Sequence, residues 1–212
     1  MSGFPSLTPA FTVRLNPAAG FQIGETANGG ILTVVVSSPT PAPAPAPYPR
    51  ARARVCACAC TCPLPLMLLS RPPQPVTTGH LTSEPGFPTP VDAELVFGSD
   101  YVRMETSQTH VRINVNAVMQ DKATGSFISY AYKGIIEVNA AFRAIFARSP
   151  DAATTGFGNS FTHVTFEAGG GALESLGHGL FVGSARFVVE GEGAQKTYHV
   201  ETKVSQVVAS ER

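Results

Sequence analysis

The sequence predicts an all-β protein, an antiparallel barrel with one short helix, and three observations carry that expectation. Apolar and polar residues alternate with period two in most segments outside one low-complexity stretch. Turn signals rich in Gly, Pro, Asn and Asp separate those segments at short intervals. Only one segment, 139–152, carries a helical pattern, so the alternating βα rhythm of a parallel sheet is missing.

In chain order, "FTVRL" (11–15) and "ILTVVV" (31–36) read as strands, divided by "NPAAG" and "ANGG". "SEPGFPTP" is kept out of regular structure by its prolines and glycine, and "VDAELVF" and "YVRMET" follow as two further strands. In "HVRINVNAVM", Val111, Ile113, Val115 and Ala117 point one way and Arg112, Asn114 and Asn116 the other. "DKATG" is a hairpin-like turn into "SFISYAYKGIIEV". Asn139 is a good N-cap for a helix that places Phe142, Ile145 and Phe146 at helical spacing, and Pro150 stops it. Strands are expected at 161–167, 180–190 and 197–208, for a total of eight or nine. A barrel accounts for both rows of an alternating strand if it packs on one side and encloses a wet cavity on the other. A solvated polar face on an open sheet satisfies the same alternation.

Length and charge narrow the function. The chain has 212 residues, enough for a core that needs no disulfide or metal. Its 15 basic and 15 acidic residues cancel, which gives no global field for nucleic acid or a membrane surface. "PLPLMLL" is too short to span a bilayer, and "MSGFPSLTPAFTVRL" lacks the basic and apolar regions of a secretory signal. The expectation is a cytoplasmic protein that binds neither nucleic acid nor membrane.

One stretch stands apart. Ser37 to Thr77 holds 11 of the 18 prolines and all four cysteines, and no acidic residue lies between Glu25 and Glu84. Cys56, Cys58, Cys60 and Cys62 alternate strictly, a poor match for the paired ligands of a zinc site. A disulfide between residues two apart would be strained. Arg-Ala and Cys-Ala repeats are what simple dinucleotide tracts of non-coding DNA encode. Val36-Ser37 fits an in-frame splice donor, and Thr78-Gly79 can hide an acceptor. The domain organisation expected is therefore one barrel over 1–212, interrupted at about 37–78 by a disordered, translated intron.

"SEPGFPTPVDAELVFGSDYVR", "SPDAATTGFGNSFTHVTFEAG" and "GLFVGSARFVVEG" resemble the domain-of-unknown-function family 3237, small proteins of bacteria and filamentous fungi. The opening "FPSLTPAFTVRLN" is similar to fungal members. The resemblance implies a lipocalin-like antiparallel barrel. It implies a small-molecule protein that can accompany biosynthetic genes, either a binder or an isomerase or cyclase. Relatives carry acidic residues where this chain has Asn114 and Gly170, so chemistry resting on those acids would be altered here.

Candidate site residues follow from shared faces. His163 and Glu167 alternate on one strand and pair a base with a carboxylate for proton transfer. Tyr130 and Tyr132 share a face, with Arg112 and Asn114 on the neighbouring strand and Arg186 able to approach. Phenols and a guanidinium in a cavity would suit a ligand bearing carbonyl, carboxylate or phenolic oxygen. The remaining histidines form no metal-binding spacing, and "EAGGGALESLG" does not continue as a phosphate loop. The expectation is a cofactor-free and metal-free barrel for a small organic molecule. The alternative is a structural or interaction protein whose interior is simply packed.

Overall fold

The computed structural model describes residues 3–17, 20–27, 29–37 and 78–210. The expected intron at 37–78 and its four cysteines fall, except for its two end residues, outside the described residues. Among the described residues ten strands run β1 (Ser6–Leu15), β2 (Gly20–Glu25), β3 (Ile31–Ser37), β4 (Gly79–Ser83), β5 (Asp92–Met104), β6 (His110–Asp121), β7 (Phe127–Glu137), β8 (Ser160–Ala168), β9 (Phe181–Glu190) and β10 (Thr197–Val208). The α-helix α1 (Ala140–Phe146) stands between β7 and β8.

Every pairing is antiparallel, and the pairings close into a ring: β1–β4–β5–β6–β7–β8–β9–β10 and back to β1. Ring closure leaves no unpaired sheet edge along most of the wall. β2 and β3 form a hairpin that joins the wall through β3 on the far half of β5. The predicted barrel class therefore holds. β2 and β4 are strands that the turn-rich sequence around them hid. The two segments predicted at 91–97 and 101–106 are one strand, β5, carried through "GSD" by pairing on both sides.

Alternation fills the interior as the sequence pattern requires. In β8, Thr162, Val164 and Phe166 are buried while Phe161, His163, Thr165 and Glu167 are exposed. Phe11, Phe87, Phe166 and Phe181 pack at one end, with ring centroids 4.8 to 6.4 Å apart. Each such side chain buried contributes about 1.5–3 kcal/mol.

Helix α1 caps a second, smaller cluster of Val111, Ile136 and Phe142 at the other end. The Asn139 side chain accepts from the Phe142 N–H at 2.9 Å, as its N-cap position predicts. The helix ends before Pro150, at Ala147, because Arg148 takes a positive φ of 51°. In the β6–β7 turn, Asp121 accepts from the Thr124 N–H and hydroxyl, which fixes the turn that "DKATG" signals. Among the described residues no helix is long and apolar enough to cross a membrane.

Candidate functional site

The two apolar clusters are distinct and are bridged by the partly buried Ile113, which packs against both. Along β5 the order is Ala93 and Leu95 in the larger cluster, then Asp100, then Val102 and Met104 against the smaller one. Along β8 the polar Ser160 and Thr162 precede Val164 and Phe166, and Thr202 of β10 is also buried. Between them lies an interior layer that mixes Asp100, Thr162 and Thr202 with the small residues Gly134 and Gly183. Gly134 and Gly183 flank Thr162 in register, and a Cβ on either would lie within 2.6 Å of Thr162 side-chain atoms.

Asp100 points inward because of a bulge. β5 and β6 shift register between Leu95 and Phe97. Before it, Ala93 and Leu95 face the interior; after it, Gly98, Asp100 and Val102 share the inward face through their partners Ala117, Val115 and Ile113. A bulge adds one residue and so moves every later side chain to the other face. Without it Asp100 would stand outside with Asp92 and Glu94.

Three buried oxygens of this region have no hydrogen-bond partner among the described residues: Asp100 Oδ1, the Tyr130 hydroxyl and Thr162 Oγ1. Burial pushes the Asp100 carboxyl up to about 6, partly offset by the Asn114 backbone N–H. Burial also raises Tyr130 and Tyr132, with Tyr130 and the Asp100 charge adding to the effect at Tyr132. Both phenols therefore stay protonated donors. Their rings lie 5.3 Å apart, and Tyr130 stacks obliquely on Phe166 at 5.4 Å.

The structure divides the candidate residues between the two faces of the wall. Tyr130 and Tyr132 are inside, opposite Ala117 and Val115 of β6. Arg112 and Asn114 are outside, which corrects their expected place beside the tyrosines: register pairs the phenols with the apolar row of β6, not the polar row. Arg112 instead donates to Glu105 at 2.8 Å. His163 and Glu167 share a face as read, but it is the exposed outer face, where Lys133 and Ser129 stand opposite them. Arg186 also lies outside, on Glu201. Asp100 was missed because "GSD" reads as a break between strands, and the bulge that turns it inward leaves no mark in a simple alternation.

The outer face carries its own polar assembly. Glu201 is 4% exposed, and Arg14 and Arg186 each donate to one of its oxygens at 2.7 to 3.0 Å. Burial opposes its charge, but the hydrogen bonds from Arg186 and Arg14 outweigh burial and hold the carboxyl below its ordinary range. Arg186 also lies 4.9 Å from the Phe157 ring. Nearby, Arg14, Asn16, His80, Glu94, Glu190 and His199 line an open groove of about 410 Å³. Among the described residues no three His, Cys, Asp or Glu side chains are grouped to hold a metal ion.

Three solved structures share this fold. A conserved protein of unknown function from Rhodopseudomonas palustris is 15% identical with a TM-score of 0.61, over 98% of this chain and 100% of that one. A β-barrel-like protein from Acinetobacter baumannii is 12% identical with a TM-score of 0.57, over 98% of each chain. A protein with unknown function from Clostridium acetobutylicum is 12% identical with a TM-score of 0.54, over 95% of this chain and 99% of that one. No curated protein matches the chain. Residues 69–207, β4 to most of β10, match the family described as protein of unknown function (DUF3237), and the chain belongs to that family.

Proposed function

We propose that this barrel binds a small, moderately polar organic molecule in its interior, at the layer where Asp100, Tyr130, Tyr132 and Thr162 meet. The observation that carries the reading is the set of three buried oxygens without partners. Each such group costs about 1–3 kcal/mol when left unmade, so a ligand able to satisfy all three has a clear source of affinity.

The same groups suit cofactor-free proton transfer. With its pKa near 6, Asp100 is mostly ionised at neutral pH yet takes and returns a proton readily. A ligand carbonyl accepting from a phenol would be polarised, and the Asp100 carboxylate would remove a proton from the adjacent carbon. Return of that proton at another carbon completes an isomerisation with no redox partner. His163 and Glu167, on the outer face, take no part in this chemistry.

The second reading is a packed, non-catalytic barrel. It is favoured by the aromatic cluster at one end and by a Tyr130 ring with no exposed surface. Titration of isotope-labelled protein with 4-hydroxybenzaldehyde and related phenolic carbonyls separates the two. Saturable shifts of the Tyr130 and Tyr132 ring signals, weakened at least tenfold in Asp100→Asn, are expected. Shifts confined to outer-face residues, or none across the series, would sink the interior site.

A further inference from the structure

β3 and β4 lie end to end along the same side of β5. Ser37 faces Gly98, and His80 faces Glu94. From Ser37 to His80 the chain therefore spends 43 residues to advance four positions on β5, an excess of 39.

The opposite flank gives the same figure. Leu15 of β1 faces Gly79, and Gly20 of β2 faces Val35. Five positions along β1–β2 correspond to 44 residues between Val35 and Gly79, again 39 in excess. The ladder with β1 reaches one residue past β4, for Asn16 N–H donates to the Thr78 carbonyl at 2.9 Å.

Facing is consistent too. Val35 stands opposite the inward Asp100, and Leu81 is fully buried opposite Ala93. An excess of 40 keeps Val35 and Leu81 on one face of a single alternating strand, with the extra position taken up by the bulge in β5.

Two collinear strand segments on a common partner need only a few residues between them at about 3.3 Å each. A connection of 40 residues is out of proportion to that distance. It is also where the composition turns to Pro-Ala and Cys-Ala repeats. The family match starts at residue 69 and so takes in 69–77, which leaves the strand register, not the match, as the ground for placing the insertion.

We infer that β3 and β4 are the two halves of one barrel-wall strand, and that residues 38–77 are an insertion into it that the fold does not require. This is the mark that a retained intron would leave. The inference rests on strand register, connection length and composition and is independent of the interior ligand site.

The test compares the full chain with Δ38–77 and Δ38–76, the two deletions that bracket the register. At least one is expected to be soluble, with unchanged near-UV dichroism and amide exchange protection running unbroken from β3 into β4. Its Tm should rise by roughly 5 °C, because about 40 residues between two adjoining strand ends have been removed. Unfolded protein from both deletions, or loss of protection in β3 and β4, would overturn the inference.

Discussion

Two carboxylates hold opposite positions in this molecule. Glu201, on the outer face of β10, is almost fully covered, and both its oxygens are taken by guanidinium groups. Asp100, on the inner face of β5, has one oxygen without partner and a single backbone N–H for compensation. The first is held below its ordinary pKa and the second is pushed above it. A fold gains from a paired carboxylate and loses from an orphaned one. The contrast separates a structural acid from a candidate functional one without any appeal to motif.

The largest expected effect breaks the structural side. Glu201→Ala leaves Arg14 and Arg186 facing each other across β1, β10 and β9 with no counter-charge. Removal of one partner from a buried pair costs about 3–5 kcal/mol. Arg14 is 62% exposed and screened by water, so about 2–3 kcal/mol is expected here. Urea denaturation should show it as a lower midpoint with an unchanged slope. A loss below 0.5 kcal/mol would mean that the cluster is decorative.

Asp100→Asn should move stability the other way. The folded pKa of about 6 lies above the ordinary 3.8, so between these values the folded state binds more protons than the unfolded one. The wild-type protein therefore loses stability as pH rises from about 4 to 6, by about 3 kcal/mol at most. At pH 8, Asn at this position should be more stable than wild type by about 1–2 kcal/mol, and the gain should vanish near pH 4. Glu201 contributes the opposite slope, since its depressed pKa gives stability that is lost as pH falls. The pH series must therefore compare Asp100→Asn with wild type rather than read either alone. A gain at pH 8 with lost ligand binding is the expected signature of a functional acid; a loss of stability there would place Asp100 among the structural groups.

The same pair shows how much the sequence discloses. Local rules, alternation and turn chemistry made eight of the strands, the hairpin at "DKATG" and the Asn139 cap legible, because each depends on neighbours within a few residues. Tyr130 and Tyr132 were legible as a pair for the same reason. Their surroundings were not. Which row of β6 they face is a matter of register, set by pairing across the whole ring. The inward turn of Asp100 depends on a bulge, and the burial of Glu201 depends on Arg14, 187 residues away. Cross-strand partners of this kind carry no short-range signal.

The smallest expected effect sharpens the division between faces. His163 and Glu167 alternate attractively in "FTHVTFE", and a reading based on spacing alone makes them an acid–base pair. Both stand on the exposed side of β8, with Val164 and Phe166 beneath them facing the core. Val164 is fully buried and Phe166 is 3% exposed, so the strand is held in place by the inward row. Substitution of the outward row removes no buried contact, and exposed strand positions of this kind usually change stability by under 0.5 kcal/mol. His163→Ala and Glu167→Ala should therefore match wild type in both denaturation midpoint and the Tyr130 and Tyr132 titration. Phe166→Ala, one residue from Glu167 but inward, should cost about 3–5 kcal/mol by leaving a cavity in the aromatic cluster. If the outward variants instead abolished ligand-induced shifts while the protein stayed folded, the active face of β8 would be the outer one, and the interior layer would be only packing.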